Sequence, residues 1–317
     1  MDTIDISIIV PLYNEEDNVI LLYESLSEVM KGINKKYEII FIDDGSIDKT
    51  SEIAESLHKK DENLKVIKFR RNYGQTPAMQ AGFDHAKGNI ILSMDGDLQN
   101  DPKDIQKLLK KIDEGYDIVC GWRKDRKDKL FSRKIPSKVA NWLMGHVTGI
   151  KVHDNGCSLK AFKGVTIKRT RLYSDMHRFI PAMASIGGIK YTEIVVDHHA
   201  RKFGSSKYGL SRIWKVFLDL LTVKMLVGFS RNPGLLFGIL SFPFLISGGV
   251  FALLSINLYL NIASIGSIPI IFASISFLLF FLSVHLLLLG FIGEMIVKTV
   301  NVKKRDKGKG NLLSANM

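Results

Sequence analysis

Hydrophobic residues in this chain follow two different patterns. Through the first half, short apolar runs alternate with stretches whose apolar residues recur every three or four positions. Ile6–Val10 is a β-branched run that stops at Pro11. Glu15–Met30 then places Val19, Leu22, Leu26 and Val29/Met30 at helical spacing. The alternation continues: strand over Tyr37–Ile42, helix over Asp48–Leu57, strand over Leu64–Phe69, helix over Thr76–Ala86. A strand over Asn89–Met94, a helix over Pro102–Glu114 and a strand over Asp117–Cys120 complete it. Pro102 suits a first helical turn, and Gly115 ends that helix. Such alternation predicts an α/β fold, a mostly parallel sheet covered on both faces. Ligands of such sheets bind beyond the carboxyl ends of the strands.

The second pattern is an uncharged block. Asn232–Gly293 contains no Asp, Glu, Lys or Arg, which a soluble domain does not tolerate. Leu235–Leu258 and Ile270–Ile292 each have the roughly 20 residues that cross a bilayer. A short loop with Asn261 and Gly266 joins them. Lys224 and Arg231 precede this hairpin, Lys298, Lys303, Lys304, Arg305, Lys307 and Lys309 follow it, and the loop has neither Lys nor Arg. The positive-inside rule then puts both ends in the cytoplasm. Two further segments read as basic amphipathic helices: 131–147, with Trp142, and 213–227, with Trp214. Either lies in the headgroup layer or packs on the sheet. The expected organisation is a catalytic domain over 1–210, an interface helix over 211–230, a hairpin over 231–295 and a basic tail over 296–317, disordered after Asp306.

Charge and cysteine content narrow the class. The formal net charge of +12 favours anionic partners: lipid headgroups, phosphates, a nucleotide. No nucleic-acid-binding motif accompanies it, so nucleic acid is not an expected partner. Cys120 and Cys157 form no CxxC pair, which suits a reducing compartment. The N-terminus lacks the basic region of a cleaved signal peptide.

The candidate chemistry sits at strand ends. Asp95-Gly96-Asp97 follows the apolar run Ile90-Ile91-Leu92. Two carboxylates separated by one small residue can share a divalent cation with the phosphates of a nucleotide, although surface turns also produce this spacing. Asp43-Asp44 either accepts hydrogen bonds from a base or ribose, or forms a turn in which Ser46 or Asp48 caps the next helix. Glu15 has a similar choice between helix charge and ligand contact. Arg201–Tyr208 is a basic loop, either a phosphate site or a solvated linker. Arg123, Arg133 and Arg201 match phosphate geometry. Asp154-Asn155-Gly156-Cys157-Ser158 reads as a turn. His177, His198 and His199 have no metal-ligand spacing.

Together these segments resemble glycosyltransferase family 2, and within it the polyprenyl-phosphate glycosyltransferases. The resemblance runs nearly end to end. It is carried by Val10-Pro11-Leu12-Tyr13-Asn14-Glu15-Glu16, Ile42-Asp43-Asp44-Gly45-Ser46, Arg71-Asn72-Tyr73-Gly74-Gln75, Asp95-Gly96-Asp97-Leu98-Gln99-Asn100, Asp154-Asn155-Gly156-Cys157, Phe203-Gly204-Ser205-Ser206-Lys207-Tyr208 and Gly290-Phe291-Ile292-Gly293-Glu294. It implies a GT-A, Rossmann-like fold and a Mg²⁺ or Mn²⁺ ion at Asp95, Asp97 and Gln99. It implies donor contacts from Pro11, Tyr13, Glu15, Asp43, Asp44 and Asp95. The acceptor phosphate would meet Arg123, Arg133, Ser158, Arg201, Ser206 and Lys207, with Asp95, Asp97, Arg123 and Arg201 as the catalytic set. Two positions depart from the family: Gly96, where Ala is common, and Trp122, where many relatives have a small residue before Arg123.

The implied reaction moves one sugar from a nucleotide-sugar to undecaprenyl or dolichyl phosphate, with inversion, at the cytoplasmic face of the membrane. Relatives associate through their hairpins, so a homo-oligomer is a further expectation. A processive polysaccharide synthase is the first alternative, but its Gln-x-x-Arg-Trp motif is missing from the sequence. A non-catalytic nucleotide-sugar-binding scaffold is the second, and the intact acidic clusters weigh against it.

Overall fold

The computed structural model describes residues 4–124, 145, 152–169, 180, 189–200, 232–261 and 268–313. The chain divides into two compact units, Met1–Val223 and Lys224–Met317.

In the first unit the predicted alternation becomes β1 (Ile6–Leu12), α1 (Val19–Lys31), β2 (Tyr37–Asp43), α2 (Thr50–His58), β3 (Leu64–Lys68), α3 (Gln75–His85) and β4 (Ile90–Ser93). A 3₁₀ turn over Pro102–Asp104 leads into α4 (Ile105–Asp113), with the Asp101 side chain accepting from the Lys103 amide. β5 (Ile118–Trp122), β6 (Lys160–Lys163), the short α5 (Gly164–Ile167) and β7 (Tyr191–Val195) follow.

The seven strands lie in the order β3-β2-β1-β4-β6-β5-β7. β1 pairs in parallel with β2 and β4, β2 with β3, and β5 with β7. β6 alone runs antiparallel, between β4 and β5. Six strands therefore end at one edge, and β6 begins there. The segment entering β6 is thereby carried back to the edge where parallel sheets bind ligands.

Alternate residues of the strands bury opposite faces. Ile6, Ile8 and Val10 of β1 join Ile39 and Phe41 of β2 against Val19, Leu22 and Leu26 of α1 and Leu108 and Ile112 of α4. On the other face, Gly82 of α3 lies so close that a Cβ there would be 3.0 Å from both Ile9 and Ile42. At the amino edge, buried Glu38 accepts from Ser7 Oγ and the Lys87 amide, each at 2.6 Å, and pairs with Lys65.

The first helix starts at Val19, the first of its regularly spaced apolar residues, and not at Glu15. Residues 14–18 are held instead by the loop after β2: the Asn14 amide donates to Ser46 Oγ at 2.9 Å and the Glu15 amide to Thr50 Oγ1 at 2.8 Å. Asn14 takes a left-handed φ of 50°, which helix does not allow.

The second unit holds α6 (Pro233–Asn261) and α7 (Ile268–Leu313). Both are long and apolar enough to cross a membrane, over Pro233–Leu260 and Ile268–Thr299. Leu253 and Ile270 are 69% and 68% exposed, so these are not core helices of a soluble protein. They pair through small residues seven positions apart on each helix. Ser255 meets Pro269, Gly248 meets Ser276, Ser241 meets Ser283, and Gly234 meets Gly290. Three of these levels are hydrogen-bonded from a serine hydroxyl to a carbonyl across the pair, at 2.8, 2.8 and 3.2 Å. A sevenfold repeat keeps one seam in contact along an antiparallel pair.

α7 corrects one expectation. It does not stop at Ile292: the helix continues past Asp306 through Leu313. Lys and Arg extend a helix already nucleated and no proline interrupts it, although Gly308 and Gly310 each cost about 1 kcal/mol relative to alanine. Beyond Ile292 the Glu294 carboxylate accepts from the Gly234 amide at 3.2 Å, satisfying a first-turn donor of α6.

Candidate active site

The carboxyl edge of the sheet gathers four pieces: the end of β1, the loop after β2, the loop after β4, and the turn before β6. Each is fixed by its own hydrogen bonds.

The loop after β2 divides its two acids. Asp43 is fully buried. Its Oδ1 accepts from the Ser46 amide at 3.0 Å, while its Oδ2 is buried without a partner among the described residues. A buried carboxylate oxygen left open is costly unless a ligand donor reaches it. Asp44 has both oxygens occupied, by the amides of Tyr73 at 2.7 Å and Gly74 at 2.8 Å. Burial, the larger effect, outweighs these two bonds and raises its pKa. Asp44 thus anchors the 71–75 segment. Gly45 makes this possible: its φ is +70°, and a Cβ would lie 2.3 Å from the Arg71 carbonyl carbon. Asp48 closes the turn into α2 rather than capping it: its carboxylate accepts from the Thr50 amide at 3.0 Å, and Lys49 holds the cap position without a side-chain bond.

Pro11 and Tyr13 sit at the end of β1 and just beyond it, both partly exposed. The Glu15 carboxylate accepts from Asn18 Nδ2 at 2.6 Å. Gly96 packs on this strand end, where a Cβ would come 2.5 Å from Leu12 Cδ2 and 3.4 Å from the Pro11 carbonyl. The glycine thus lets the acidic loop lie directly on β1.

Asp95 and Asp97 flank that contact. Asp95 Oδ1 accepts from Gln75 Nε2 at 2.6 Å, and its amide donates to Ser158 Oγ at 3.2 Å. Burial first, and the Asp97 charge second, push Asp95 up to about 6, against the opposing pull of Ser158, Arg123 and Lys160. Asp97 Oδ1 accepts from the Gln99 amide at 3.2 Å, around Leu98 at a φ of 57°. The Gln99 side chain reaches the His199 carbonyl at 3.4 Å. His199 returns its amide to the Gln99 carbonyl at 2.9 Å and sets its ring against Asp101 at 3.2 Å. The acidic loop is thus braced by residues 198–199.

Arg123, one residue beyond β5, binds Asp154 at two points: Nε to Oδ2 at 2.7 Å and Nη2 to Oδ1 at 3.0 Å. Burial works against the guanidinium, but the Asp154 bond and charge outweigh it and raise its pKa. Among the described residues two of its five donors go to Asp154 and three remain. Asp154 opens the turn expected at this position, its carbonyl accepting from the Cys157 amide at 3.3 Å. Trp122 does not displace Arg123: its ring stacks on His153, centroids 4.4 Å apart, with His153 held by Glu193. Ser158 sits between the pieces, its hydroxyl accepting from Asn100 Nδ2 at 2.9 Å and its carbonyl from Ser93 Oγ at 2.7 Å.

The structure therefore assembles Pro11, Tyr13, Glu15, Asp43, Asp44, Asp95, Asp97, Gln99, Arg123 and Ser158 along one edge. Arg133, Arg201, Ser206 and Lys207 lie outside the described residues, as do both amphipathic segments apart from Gly145. Gln75, Asn100, Asp154 and Lys160 join the site without having been selected. Gln75, Asn100 and Asp154 stood inside the motif segments, and only their side-chain directions were missing.

A divalent ion has a fitting pair here. Two carboxylates sit close enough for one to raise the other's pKa, a repulsion that a cation removes. Among the described residues no group of three His, Cys, Asp or Glu could enclose a metal. Two protein carboxylates with the remaining positions left to phosphate and water is the usual arrangement for a nucleotide-bound cation.

A mostly parallel sheet with one antiparallel strand, and an acidic pair at its carboxyl edge, defines the GT-A-like fold. Solved structures agree on that fold. Glucosyl-3-phosphoglycerate synthase from Mycobacterium tuberculosis, in complex with Mn²⁺, UDP and glucosyl-3-phosphoglycerate, superposes with a TM-score of 0.56 at 14% identity, covering 71% of this chain and 80% of that one. The chain belongs to glycosyltransferase family 2: the family "Glycosyl transferase family 2" matches residues 7–171. Among its relatives, dodecaprenyl-phosphate galacturonate synthase from Rhizobium johnstonii is 41% identical, over 94% of this chain and 89% of that protein. Undecaprenyl-phosphate 4-deoxy-4-formamido-L-arabinose transferase from Photorhabdus laumondii is 34% identical, over 93% and 90%. The chain is a glycosyltransferase, and these relatives transfer sugars to polyprenyl phosphates.

Proposed function

We propose that this enzyme transfers a single sugar from a UDP- or GDP-linked donor to undecaprenyl or dolichyl phosphate, with inversion, at the cytoplasmic face of the membrane. The observation that carries it is the placement, on one sheet edge, of an acidic pair whose charges act on each other (Asp95 and Asp97) beside the guanidinium of Arg123 held by Asp154. One side suits a cation-bound diphosphate and the other suits an incoming phosphate. End-to-end similarity to polyprenyl-phosphate sugar transferases supports the acceptor class.

Asp43, through its open oxygen, takes a donor hydrogen bond from the nucleoside, beside Pro11, Tyr13 and Glu15. Asp44 acts at one remove, fixing the 71–75 segment that places Gln75 on Asp95. Asp95 and Asp97, with Gln99, would hold Mg²⁺ or Mn²⁺, which supplies charge neutralisation of the departing diphosphate. Arg123 orients the acceptor phosphate, joined by Ser158 and by Arg133, Arg201, Ser206 and Lys207. An oxygen of that phosphate forms the new bond to the anomeric carbon as the bond to the nucleoside diphosphate breaks. The bonding electrons leave with the diphosphate. A phosphate monoester is largely ionised at neutral pH, so no general base is required and Asp154 serves Arg123. Alignment of two anions supplies most of the acceleration.

The two apolar helices anchor the enzyme, with both flanks cytoplasmic by their Lys and Arg content. The domain over 1–210, the interface helix over 211–230, the hairpin over 231–295 and the basic segment after it divide the work between catalysis and membrane attachment. The hairpin helices also provide a surface for homo-oligomers.

Mass spectrometry of the lipid formed from undecaprenyl phosphate and a mixture of nucleotide sugars tests this reading. One sugar per lipid is expected. A polymer ladder would instead indicate a processive synthase, and no transfer a scaffold. Asp95→Asn and Asp97→Asn are each expected to lower turnover by about 100-fold or more. Near-normal turnover of either in metal-supplemented assays would remove the metal assignment.

A further inference from the structure

Lys160, the first residue of β6, is only 3% exposed. It interrupts an apolar run, Leu159-Lys160-Ala161-Phe162, whose other members are wholly buried. Its ammonium donates to two backbone carbonyls, that of Asn155 at 3.2 Å and that of Cys157. Its hydrogen bonds go to neutral carbonyls, and its charge acts on Asp95 only from beyond hydrogen-bond range, so burying an ammonium here is costly and a methionine of similar length would fill the space at lower cost. The carbonyls it holds belong to the turn that begins at Asp154, the residue that grips Arg123 at two points. That turn is tight against the guanidinium: a Cβ on Gly156 would lie 3.3 Å from Arg123 Nη2. A small displacement of the turn therefore moves the Asp154 carboxylate, and Arg123 with it.

We propose that Lys160 is a positioning residue for sugar transfer: it pins the Asn155 and Cys157 carbonyls, so that the turn presents Asp154 to Arg123 and fixes the guanidinium toward the acceptor phosphate. The proposal rests on the assignment of Arg123 to that phosphate. Lys160 touches neither substrate. Its influence passes through Asp154, as outer hydrogen-bond partners orient the groups that do touch a ligand.

The test uses the full-length enzyme in lipid, undecaprenyl phosphate as acceptor, and the nucleotide sugar that yields product from the mixture. Lys160→Met is expected to raise the acceptor KM about tenfold or more while the donor KM stays within about twofold. Lys160→Arg should recover most of that loss, because it restores a donor to the carbonyls. In an Asp154→Asn background, Lys160→Met should add nothing further, since the two lie on one path. If Lys160→Met does not fold, Lys160→Gln serves in its place. Equal movement of both KM values, failure of arginine to rescue, or additivity with Asp154→Asn would each overturn the proposal. Arg123→Gln separates it from its premise. If that variant raises the acceptor KM and Lys160→Met does not, the Lys160 link alone is wrong. If Arg123→Gln leaves the acceptor KM unchanged, the assignment of Arg123 falls and the link falls with it.

Discussion

At the scale of single residues, the acidic loop shows how burial and charge prepare a site. Asp95 holds its proton up to about pH 6, because of burial and then the neighbouring Asp97. A carboxylate raised in the folded state favours folding below its unfolded pKa, and that contribution is lost as pH rises through the raised value. Near neutral pH the ionised pair therefore opposes folding, and a bound cation relieves it. Mn²⁺ is expected to raise the melting temperature clearly at pH 7.5, with the increase fading by pH 5. Scanning calorimetry at the two pH values checks this, and an equal increase at both would contradict the assigned pair. Gly45 offers a second residue-scale test. Gly45→Ala places a methyl group into the Arg71 backbone from a left-handed φ, at a cost of about 1–3 kcal/mol. Because Asp44 anchors the same segment, the variant should also raise the donor KM. A stability and donor KM matching the parent would refute the close approach.

At the scale of elements, the hairpin owes its pairing to small residues in register rather than to apolarity. Lipid is as apolar as leucine, so close backbone approach and hydrogen bonds must join the helices. Gly248 packs on Leu279 and Phe280, each at 3.4 Å from an added Cβ, and its carbonyl receives Ser276. Gly248→Leu is expected to part the helices at this level and lower the thermal stability of the lipid-embedded enzyme. Leu253→Ala, on an exposed position of the same helix, should leave it unchanged. Equal effects of the two would count against the seam. The 7-residue recurrence of Gly234, Ser241, Gly248 and Ser255 is readable in the sequence, yet hydropathy hides it, because glycine and serine contribute little signal beside so many leucines. The true length of α7 was hidden too. Gly308 and Gly310 in its basic end read as a stop, yet the helix runs through both.

At the scale of the whole molecule, the sheet is tied at its amino edge by Glu38. Burial alone would raise this carboxyl, but bonds from Lys65, Ser7 and the Lys87 amide outweigh it and hold the pKa below the usual range. A depressed carboxylate contributes stability that is present above its unfolded pKa and lost as pH falls through the folded value. Glu38→Gln should cost roughly 2 kcal/mol at neutral pH, and the gap from the parent should close as the pH is lowered below 4.5. Chemical denaturation across pH checks this, and a gap independent of pH would exclude the ionised group as its source.

The linear sequence was sufficient for what depends on neighbours along the chain. Strand and helix alternation, the acidic strand ends, the uncharged block and the family motifs all arise from local periodicity and composition, which survive without a fold. Only the tertiary structure decided which of those groups meet. β6 enters the sheet antiparallel between β4 and β5, and so delivers Asp154, Ser158 and Lys160 to Arg123 and Asp95 from some 30 to 60 residues away. Asp43 and Asp44 are adjacent and chemically identical, yet one keeps an open oxygen and the other is filled by amides from residues 73 and 74. Hydrogen-bond partners chosen across such separations depend on strand order and side-chain direction, and neither is written in the spacing of residues along the chain.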